Sequence, residues 1–145
     1  MRYLGIDYGD KRIGTAISDE EGKFAFPKLV ISRPRRALPL AGGTLSVVIE
    51  KLNTLIQENK IKTIVVGLPQ NFKGEDTQQT KKVRVFAEKL TKELGVEIVF
   101  ENEILTSKQV DKNGGATKEM QDAAAAALIL QGYLDRKNKD FCVTM

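Results

Sequence analysis

The first third of the chain consists of short apolar runs separated by polar turns. The runs cover residues 2–7, 12–18 and 24–32, and the turns between them are short and contain both glycine and aspartate. Turns of this kind are typical of hairpins, so the pattern predicts three strands that are antiparallel neighbours.

The middle of the chain changes to helical periodicity. Apolar residues recur at three- and four-residue spacing over 45–56 and again over 83–94, which predicts two amphipathic helices. Gly95 follows the second of them in the position of a helix C-cap. Residues 61–67 carry a continuous apolar core, which predicts a strand buried on both faces, and residues 96–100 are predicted to form another buried strand.

The last part of the chain is predicted to be helical. A capping-box pattern indicates a short helix over 106–110, and a long helix follows from 117 to about 136. Five consecutive alanines, 123–127, allow its backbone to approach a sheet closely. Together these elements predict an α/β protein whose mixed five-stranded sheet, three antiparallel strands and then parallel ones, is flanked by helices on both sides. One domain is expected over 1–138, with a C-terminal tail over 139–145.

Composition restricts the class of protein. A chain of 145 residues with 41% apolar and 29% charged residues is expected to form one globular domain. It contains no stretch of about 18 apolar residues, so we expect no membrane span, and its strand-like start predicts no signal peptide. The single Cys142 cannot form an internal disulfide, which favours a reducing, cytoplasmic location.

The charged and metal-binding residue types narrow the chemistry. The absence of histidine, with only one cysteine, excludes histidine-based triads and zinc sites. A bound metal is therefore expected to be a hard cation held by oxygen, and a general base to be a carboxylate, a lysine or a metal-bound water. Basic residues number 23 against 19 acidic ones, a net charge of +4, which permits a polyanionic partner without requiring one.

Three carboxylates stand where a surface charge is unexpected. Asp7 ends the first strand, Glu103 lies just past the predicted strand 96–100, and Asp122 lies near the start of the last helix. Three carboxylates that converge at one end of a sheet would repel each other unless a divalent cation lay between them. Mg²⁺ or Mn²⁺ suits such an oxygen-only site. Two such ions about 4 Å apart can activate water and stabilise the leaving 3′-oxygen in phosphodiester hydrolysis.

Each carboxylate also has a plainer interpretation. Asp7 can be a turn residue before Gly9, and Asp122 can complement the N-terminus of its helix. Glu101 is placed as well as Glu103 by strand alternation. An Asp-x-Gly turn between strands also positions nucleotide phosphates in the actin, sugar-kinase and Hsp70 group. Those enzymes need two related domains, which 145 residues cannot supply, so ATP phosphotransfer is disfavoured.

Four blocks of the sequence are recognisable together. They are residues 4–19, 64–74 followed by 83–90, 105–107 and 122–131. In this order and spacing, the chain resembles the YqgF-type, Holliday-junction-resolvase-like family over nearly its full length. The resemblance implies an RNase H-like fold and a nuclease that acts on structured nucleic acid. The family is linked to maturation of the 5′ end of pre-16S ribosomal RNA and, by analogy of fold, to Holliday-junction resolution.

The resemblance also implies a ligand set. Carried over by position, Asp7, Glu103 and Asp122 are the catalytic residues and the ligands of Mg²⁺ or Mn²⁺. Where the family reads Asp-Glu-Arg, this chain reads Asn102-Glu103-Ile104. The change removes a possible metal contact and a possible phosphate clamp, since isoleucine cannot replace the bidentate geometry of arginine. A non-catalytic nucleic-acid-binding assembly factor therefore stays open beside the nuclease.

The expected partner is a nucleic acid, either pre-rRNA or branched DNA. Basic residues near the four blocks, with one aromatic side chain for base stacking, are the candidate contacts: Lys11, Arg12, Arg33, Arg35, Arg36, Lys81, Arg84 and Phe72. Each basic residue can equally be a solvated surface charge. A junction-resolving enzyme should act as a symmetric dimer, because it cuts two strands related by a two-fold axis, so monomer and homodimer both remain open.

Overall fold

The computed structural model describes residues 2–9, 12–32, 43–70, 73, 75–104 and 118–143. Its secondary-structure elements follow one another in the order predicted from the sequence. They are β1 (Arg2–Tyr8), β2 (Arg12–Ser18), β3 (Ala25–Ser32), α1 (Gly43–Asn59), β4 (Ile61–Gln70), α2 (Gln78–Leu94), β5 (Glu97–Ile104) and α3 (Lys118–Val143).

The five strands form one mixed sheet in the order β3-β2-β1-β4-β5. β1 is antiparallel to β2, and β2 to β3, whereas β4 is parallel to both β1 and β5. The predicted sheet is confirmed. Because β1, β4 and β5 run in the same direction, Tyr8, Gln70 and Ile104 lie at one end of the sheet, together with Arg12 at the start of β2. We call this the carboxyl end.

Helices cover both faces of the sheet, as predicted. On one face, α1 and α2 pack on Leu4, Ile6, Ile64 and Val66 in the larger core cluster. On the other face, α3 packs on a smaller cluster that includes Val65. Side chains alternate along β1, so the residues next to Ile6 in sequence, Gly5 and Asp7, face α3.

The helix α3 approaches the sheet so closely that two strand positions must be glycine. A Cβ placed on Gly5 would lie 2.7 Å from the Cβ of Leu130 and 2.9 Å from the backbone oxygen of Ala126. A Cβ on Gly14 would collide with the backbone oxygen and carbon of Asp122. The alanines 123–127 predicted this close packing from the helix side. On the sheet side, the absence of a Cβ at Gly5 and Gly14 leaves room for the helix.

Strand β5 differs from its prediction. It runs from Glu97 to Ile104, so Glu103 lies within the strand and not past its end. In addition, β5 is an edge strand paired with β4 alone, and the side chain of Phe100 is 41% exposed. The prediction of a buried strand over 96–100 is therefore wrong. Parallel pairing with β4 extends β5 through polar residues that apolar patterning cannot detect.

The ends of two other elements, β4 and α3, also differ from the prediction. β4 continues to Gln70, past its predicted end at residue 67, because it pairs with β5 as far as Ile104. α3 continues to Val143, past its predicted end near residue 136. The predicted short helix over 106–110 lies outside the described residues. Across the described ranges, no helix is long and apolar enough to cross a membrane.

Candidate functional site

Asp7 lies at the carboxyl end of β1, on the face that α3 covers. Its Cα partner across the β1–β2 ladder is Gly14. Burial raises the pKa of the Asp7 carboxyl from its ordinary value of 3.8 to about 6, and the negative charge of Asp122 adds to the rise. A carboxylate that the fold penalises in this way is typical of functional sites, and it distinguishes Asp7 from an ordinary turn residue.

Asp122 is brought to Asp7 by the contact between α3 and β2. It is the fifth residue of α3, and its backbone lies against Gly14, which is the cross-strand partner of Asp7. The side chain of Asp122 is 31% exposed. The structure therefore brings together two of the three carboxylates predicted from the sequence, 115 residues apart in the chain.

Arg12 is ion-paired with Asp122, and its predicted contact with a nucleic acid stays a prediction. Its Nε lies 2.9 Å from Oδ2 of Asp122, and its side chain is 30% exposed. The sequence predicted Arg12 as a contact for the nucleic-acid backbone, whereas in this structure its guanidinium forms an ion pair with a carboxylate of the site. Local sequence could not indicate this pair, because its members come from β2 and α3.

The third predicted ligand is described only at the level of the backbone. Glu103 pairs with Pro69 of β4, so it lies near the carboxyl end of the sheet. Its competitor Glu101 is engaged elsewhere: its carboxylate is ion-paired with Arg136 and lies beside Gly132. Gly132 is ten residues beyond Asp122 on α3, or about 15 Å along the helix axis, which separates Glu101 from the Asp7–Asp122 pair.

The start of α2 is tied to the carboxyl end of the sheet. The side chain of Gln79 donates to the backbone oxygen of Tyr8 at 3.4 Å, and the Thr80 hydroxyl donates to the backbone oxygen of Pro69. The ring centroids of Tyr8 and Phe86 lie 4.5 Å apart. These contacts hold the first turns of α2, with their basic side chains, at the carboxyl end of the sheet, on the face opposite the one that Asp7 shares with α3.

Apart from Arg12, the predicted nucleic-acid contacts fall into two groups. On α2, Lys81 is exposed, and Arg84 is exposed but ion-paired with Asp76 at 2.5 Å. The others lie outside the described residues: Lys11, Arg33, Arg35, Arg36 and Phe72. Sequence reasoning missed that Lys89 and Lys92 extend the exposed, mainly basic face that begins at Lys81 and also carries Glu88. Helical spacing of eight and eleven residues was the signal that could have found them.

A family comparison covers nearly the whole chain. The family described as "RuvX: Holliday junction resolvase" matches residues 1–136. The chain belongs to this family. The resemblance found in the sequence is thereby confirmed.

Members with curated names are similar over almost their full length. A "Putative pre-16S rRNA nuclease" from Sulfurihydrogenibium sp. (strain YO3AOP1) is 39% identical, covering 93% of this chain and 90% of the relative. Proteins of the same name from Fusobacterium nucleatum and Lactococcus lactis are 35% and 36% identical. They match 94% and 92% of this chain, and 98% and 94% of their own lengths.

Among solved structures, Thermus thermophilus RuvC in complex with a Holliday junction substrate superimposes with a TM-score of 0.61 at 15% identity. The match covers 94% of this RuvX-family chain and 96% of RuvC. A second T. thermophilus RuvC structure has the same TM-score at 13% identity. At such identities the likeness shows the fold, and it confirms the RNase H-like prediction.

The residues of this RuvX-family site fit a divalent cation. Asp7 and Asp122 offer hard oxygen donors, and the pKa of Asp7 is raised first by burial and second by repulsion from the charge of Asp122. A cation bound to both would remove that repulsion. Within the side chains that the structure describes, no group of three potential ligands converges, and Glu103 is not one of those side chains.

The pKa of Asp7 predicts a dependence of stability on pH. Because the pKa is higher in the folded than in the unfolded chain, the fold favours the neutral carboxyl, and no penalty applies below about pH 4. As the pH rises from about 4 to about 6, the unfolded chain releases the Asp7 proton more readily than the folded protein does, and the free energy of unfolding falls. The contribution of Asp7 to the free energy of unfolding should fall by on the order of 2 kcal/mol across this window, then stay constant.

Denaturant unfolding at several pH values between 4 and 8, in the presence of EDTA, measures this effect. Other groups titrate as well. The pKa of Asp19, for example, is lowered by backbone hydrogen bonds, first from Lys23 and then from Phe24 and Gly22. The difference between wild type and Asp7→Asn isolates the Asp7 contribution. A difference that stays constant from pH 4 to pH 7 would contradict the assignment.

Proposed function

We propose that the protein is a divalent-metal-dependent nuclease that hydrolyses phosphodiester bonds during maturation of the 5′ end of pre-16S rRNA. The observation that carries this proposal is the Asp7–Asp122 pair at the carboxyl end of the sheet. Asp7 is kept there although its charge destabilises the fold, as its raised pKa indicates. Relatives that are 35–39% identical and matched over 90% or more of their lengths are named as pre-16S rRNA nucleases, which supports the RNA substrate.

Asp7 and Asp122 would hold the cation, and Glu103 in β5 is the proposed third ligand. Mg²⁺ or Mn²⁺ suits these oxygen donors, and when bound it supplies a water of lowered pKa and positive charge for the reacting phosphate. Glu103 is preferred over Glu101 because the carboxylate of Glu101 is ion-paired with Arg136.

The basic face of α2 supports the binding of a nucleic acid beside this site. Lys81, Lys89 and Lys92 are exposed along this face, and none of them forms an ion pair with another described residue. The N-terminus of α2 is held at the carboxyl end through Gln79 and Thr80. A phosphate backbone leaving the site could therefore follow α2, and its binding should weaken as salt concentration rises.

A second candidate is the resolution of Holliday junctions. The description of the matching family favours it. A resolvase should be a symmetric dimer, so the oligomeric state separates this candidate from a nuclease that acts as a monomer.

The third possibility, a binding factor without cleavage, rests on Asn102 and Ile104 in place of the acidic and arginine residues of the family pattern. The cytoplasmic location stays a prediction from the sequence.

Cleavage assays on two labelled substrates test the proposal. A pre-16S rRNA fragment carrying its 5′ extension and a four-way DNA junction are incubated with the full chain and Mg²⁺, Mn²⁺ or EDTA. We expect metal-dependent cleavage of the RNA, none in EDTA, and none with Asp122→Asn. Cleavage of the junction alone would favour the resolvase. Binding of either substrate without cleavage in any metal would favour the assembly factor.

A further inference from the structure

The guanidinium of Arg12 forms an ion pair with a carboxylate of the site, Asp122. We propose that Arg12 is an internal counter-ion, whose guanidinium holds Asp122 while no metal is bound and competes with a divalent cation for that carboxylate. The inference rests on the proposed function to the extent that Asp7 and Asp122 are taken as the metal ligands. It adds a residue that controls how tightly the cation binds.

The geometry supports direct competition. The Arg12 Nε lies 2.9 Å from Oδ2 of Asp122, so the two charged groups are in direct contact. Both side chains are about one-third exposed, at 30% and 31%, so the pair is partly shielded from water and accessible to an ion. A carboxylate oxygen in direct contact with a guanidinium is less available to a metal.

The balance of charge leads to the same conclusion. Asp7 and Asp122 contribute two negative charges, and Arg12 contributes one positive charge. A divalent cation bound to both carboxylates would reverse the sign of this group and would repel the guanidinium. Arginine released from Asp122 is a planar, bidentate donor suited to a phosphate at the same end of the sheet. Cation binding and the availability of Arg12 for phosphate are therefore linked.

A purely structural role for Arg12 predicts the opposite sign. If Arg12 only held Asp122 in position, its removal would let the carboxylate move and would weaken cation binding. If Arg12 competes with the cation, its removal strengthens cation binding. The sign of the change in affinity distinguishes the two roles without any measurement of activity.

Mn²⁺ affinity of the full chain, without nucleic acid, is the direct test. It can be measured by electron paramagnetic resonance of free Mn²⁺ for wild type, Arg12→Gln and Asp122→Asn. We expect Arg12→Gln to bind Mn²⁺ about tenfold more tightly, because a repelling unit charge is removed close to the ion. Asp122→Asn should bind more weakly than wild type and identifies the site. Weaker or unchanged binding by Arg12→Gln overturns the proposal.

Arg2→Gln is the matched control for the change in net charge. Arg2 also forms an ion pair, with Glu20 at 3.5 Å, and its side chain is 35% exposed. It lies five residues before Asp7 on β1, about 16 Å away along the strand. Its replacement should leave the Mn²⁺ affinity unchanged. An equal gain in Arg2→Gln would assign the effect to overall charge and would also overturn the proposal.

The Nε–H resonance of Arg12 provides a second readout. We expect it to be shifted and protected in metal-free protein, and to move towards the position of a solvated arginine as Mg²⁺ is added. A resonance that stays in place while Mg²⁺ saturates the site contradicts competition. If wild type binds cations in this way but cleaves neither substrate, the nuclease proposal fails and the counter-ion stands. If Asp122→Asn and wild type bind Mn²⁺ equally, the counter-ion proposal fails.

Discussion

Replacing Asp7 with asparagine should abolish cleavage and, at the same time, stabilise the metal-free protein. Asparagine keeps the shape of the side chain but removes the charge that burial and Asp122 disfavour, as the raised pKa of Asp7 shows. At pH 7.5, where wild-type Asp7 is ionised, we expect the free energy of unfolding to rise by on the order of 2 kcal/mol. Cleavage should fall by at least about a thousandfold, because stabilisation by a bound metal is worth several kcal/mol.

Asp122→Asn is the informative comparison for this prediction. It should abolish cleavage as well, but it also removes the ion pair with Arg12, so no comparable stabilisation is expected. Both quantities are measured on the same preparations, by urea unfolding in EDTA and by cleavage of labelled RNA in Mg²⁺. An Asp7→Asn protein that cleaves at the wild-type rate refutes the site. A less stable Asp7→Asn protein refutes the electrostatic account.

Gly14→Ala should be the most damaging conservative substitution on β2. A methyl group at this position would collide with the backbone oxygen and carbon of Asp122 and would lie 3.1 Å from the Ala123 nitrogen. Backbone atoms cannot move aside as a side chain does, so α3 would have to shift away from the sheet. We expect a loss of about 3 kcal/mol in the free energy of unfolding, the upper part of the usual range for overpacking. Cleavage should fall by about a hundredfold or more, because displacement of Asp122 by about 1 Å is costly.

Gly132→Ala is the matched control, because it places a methyl group on α3 itself. The nearest atom to that methyl would be Oε1 of Glu101 at 3.7 Å, which is an ordinary contact. Alanine is the better residue in a helix, so stability should increase by about 0.5–1 kcal/mol, and cleavage should be unchanged. Urea unfolding and the RNA cleavage assay measure both variants. A Gly14→Ala protein as stable and active as Gly132→Ala would show that the close approach of α3 to β2 is not required.

Much of the fold can be predicted from the sequence, because its signals are local. Alternating apolar runs and short glycine-containing turns specify the β1–β2–β3 meander. Helical spacing specifies α1 and α2, with Gly95 as the C-cap of α2 in the left-handed conformation. The extent of β5 could not be predicted, since Glu101, Asn102 and Glu103 are polar. They are in a strand because β4 offers unpaired backbone groups beside them.

In the candidate site, too, some residues can be predicted from the sequence and others cannot. Asp7 and Asp122 are recognisable in the sequence because a carboxylate interrupts an apolar or small-residue segment in each case, and the family pattern supports both. Arg12 and Gly14 carry no such signal. A basic residue after a turn and a glycine in a strand each allow several local interpretations, so their roles depend on what packs against them.

The order of the elements and the candidate carboxylates Asp7 and Asp122 can be predicted from the sequence, since each depends on periodicity or residue type within a short segment. The RNase H-like class was implied by the resemblance of four sequence blocks to a known family. Only the tertiary structure decided that Asp122 lies against Gly14 and pairs with Arg12. Those contacts join β2 to a helix more than 100 residues later in the chain. Their geometry depends on how closely α3 packs on the sheet, and no local pattern specifies that distance.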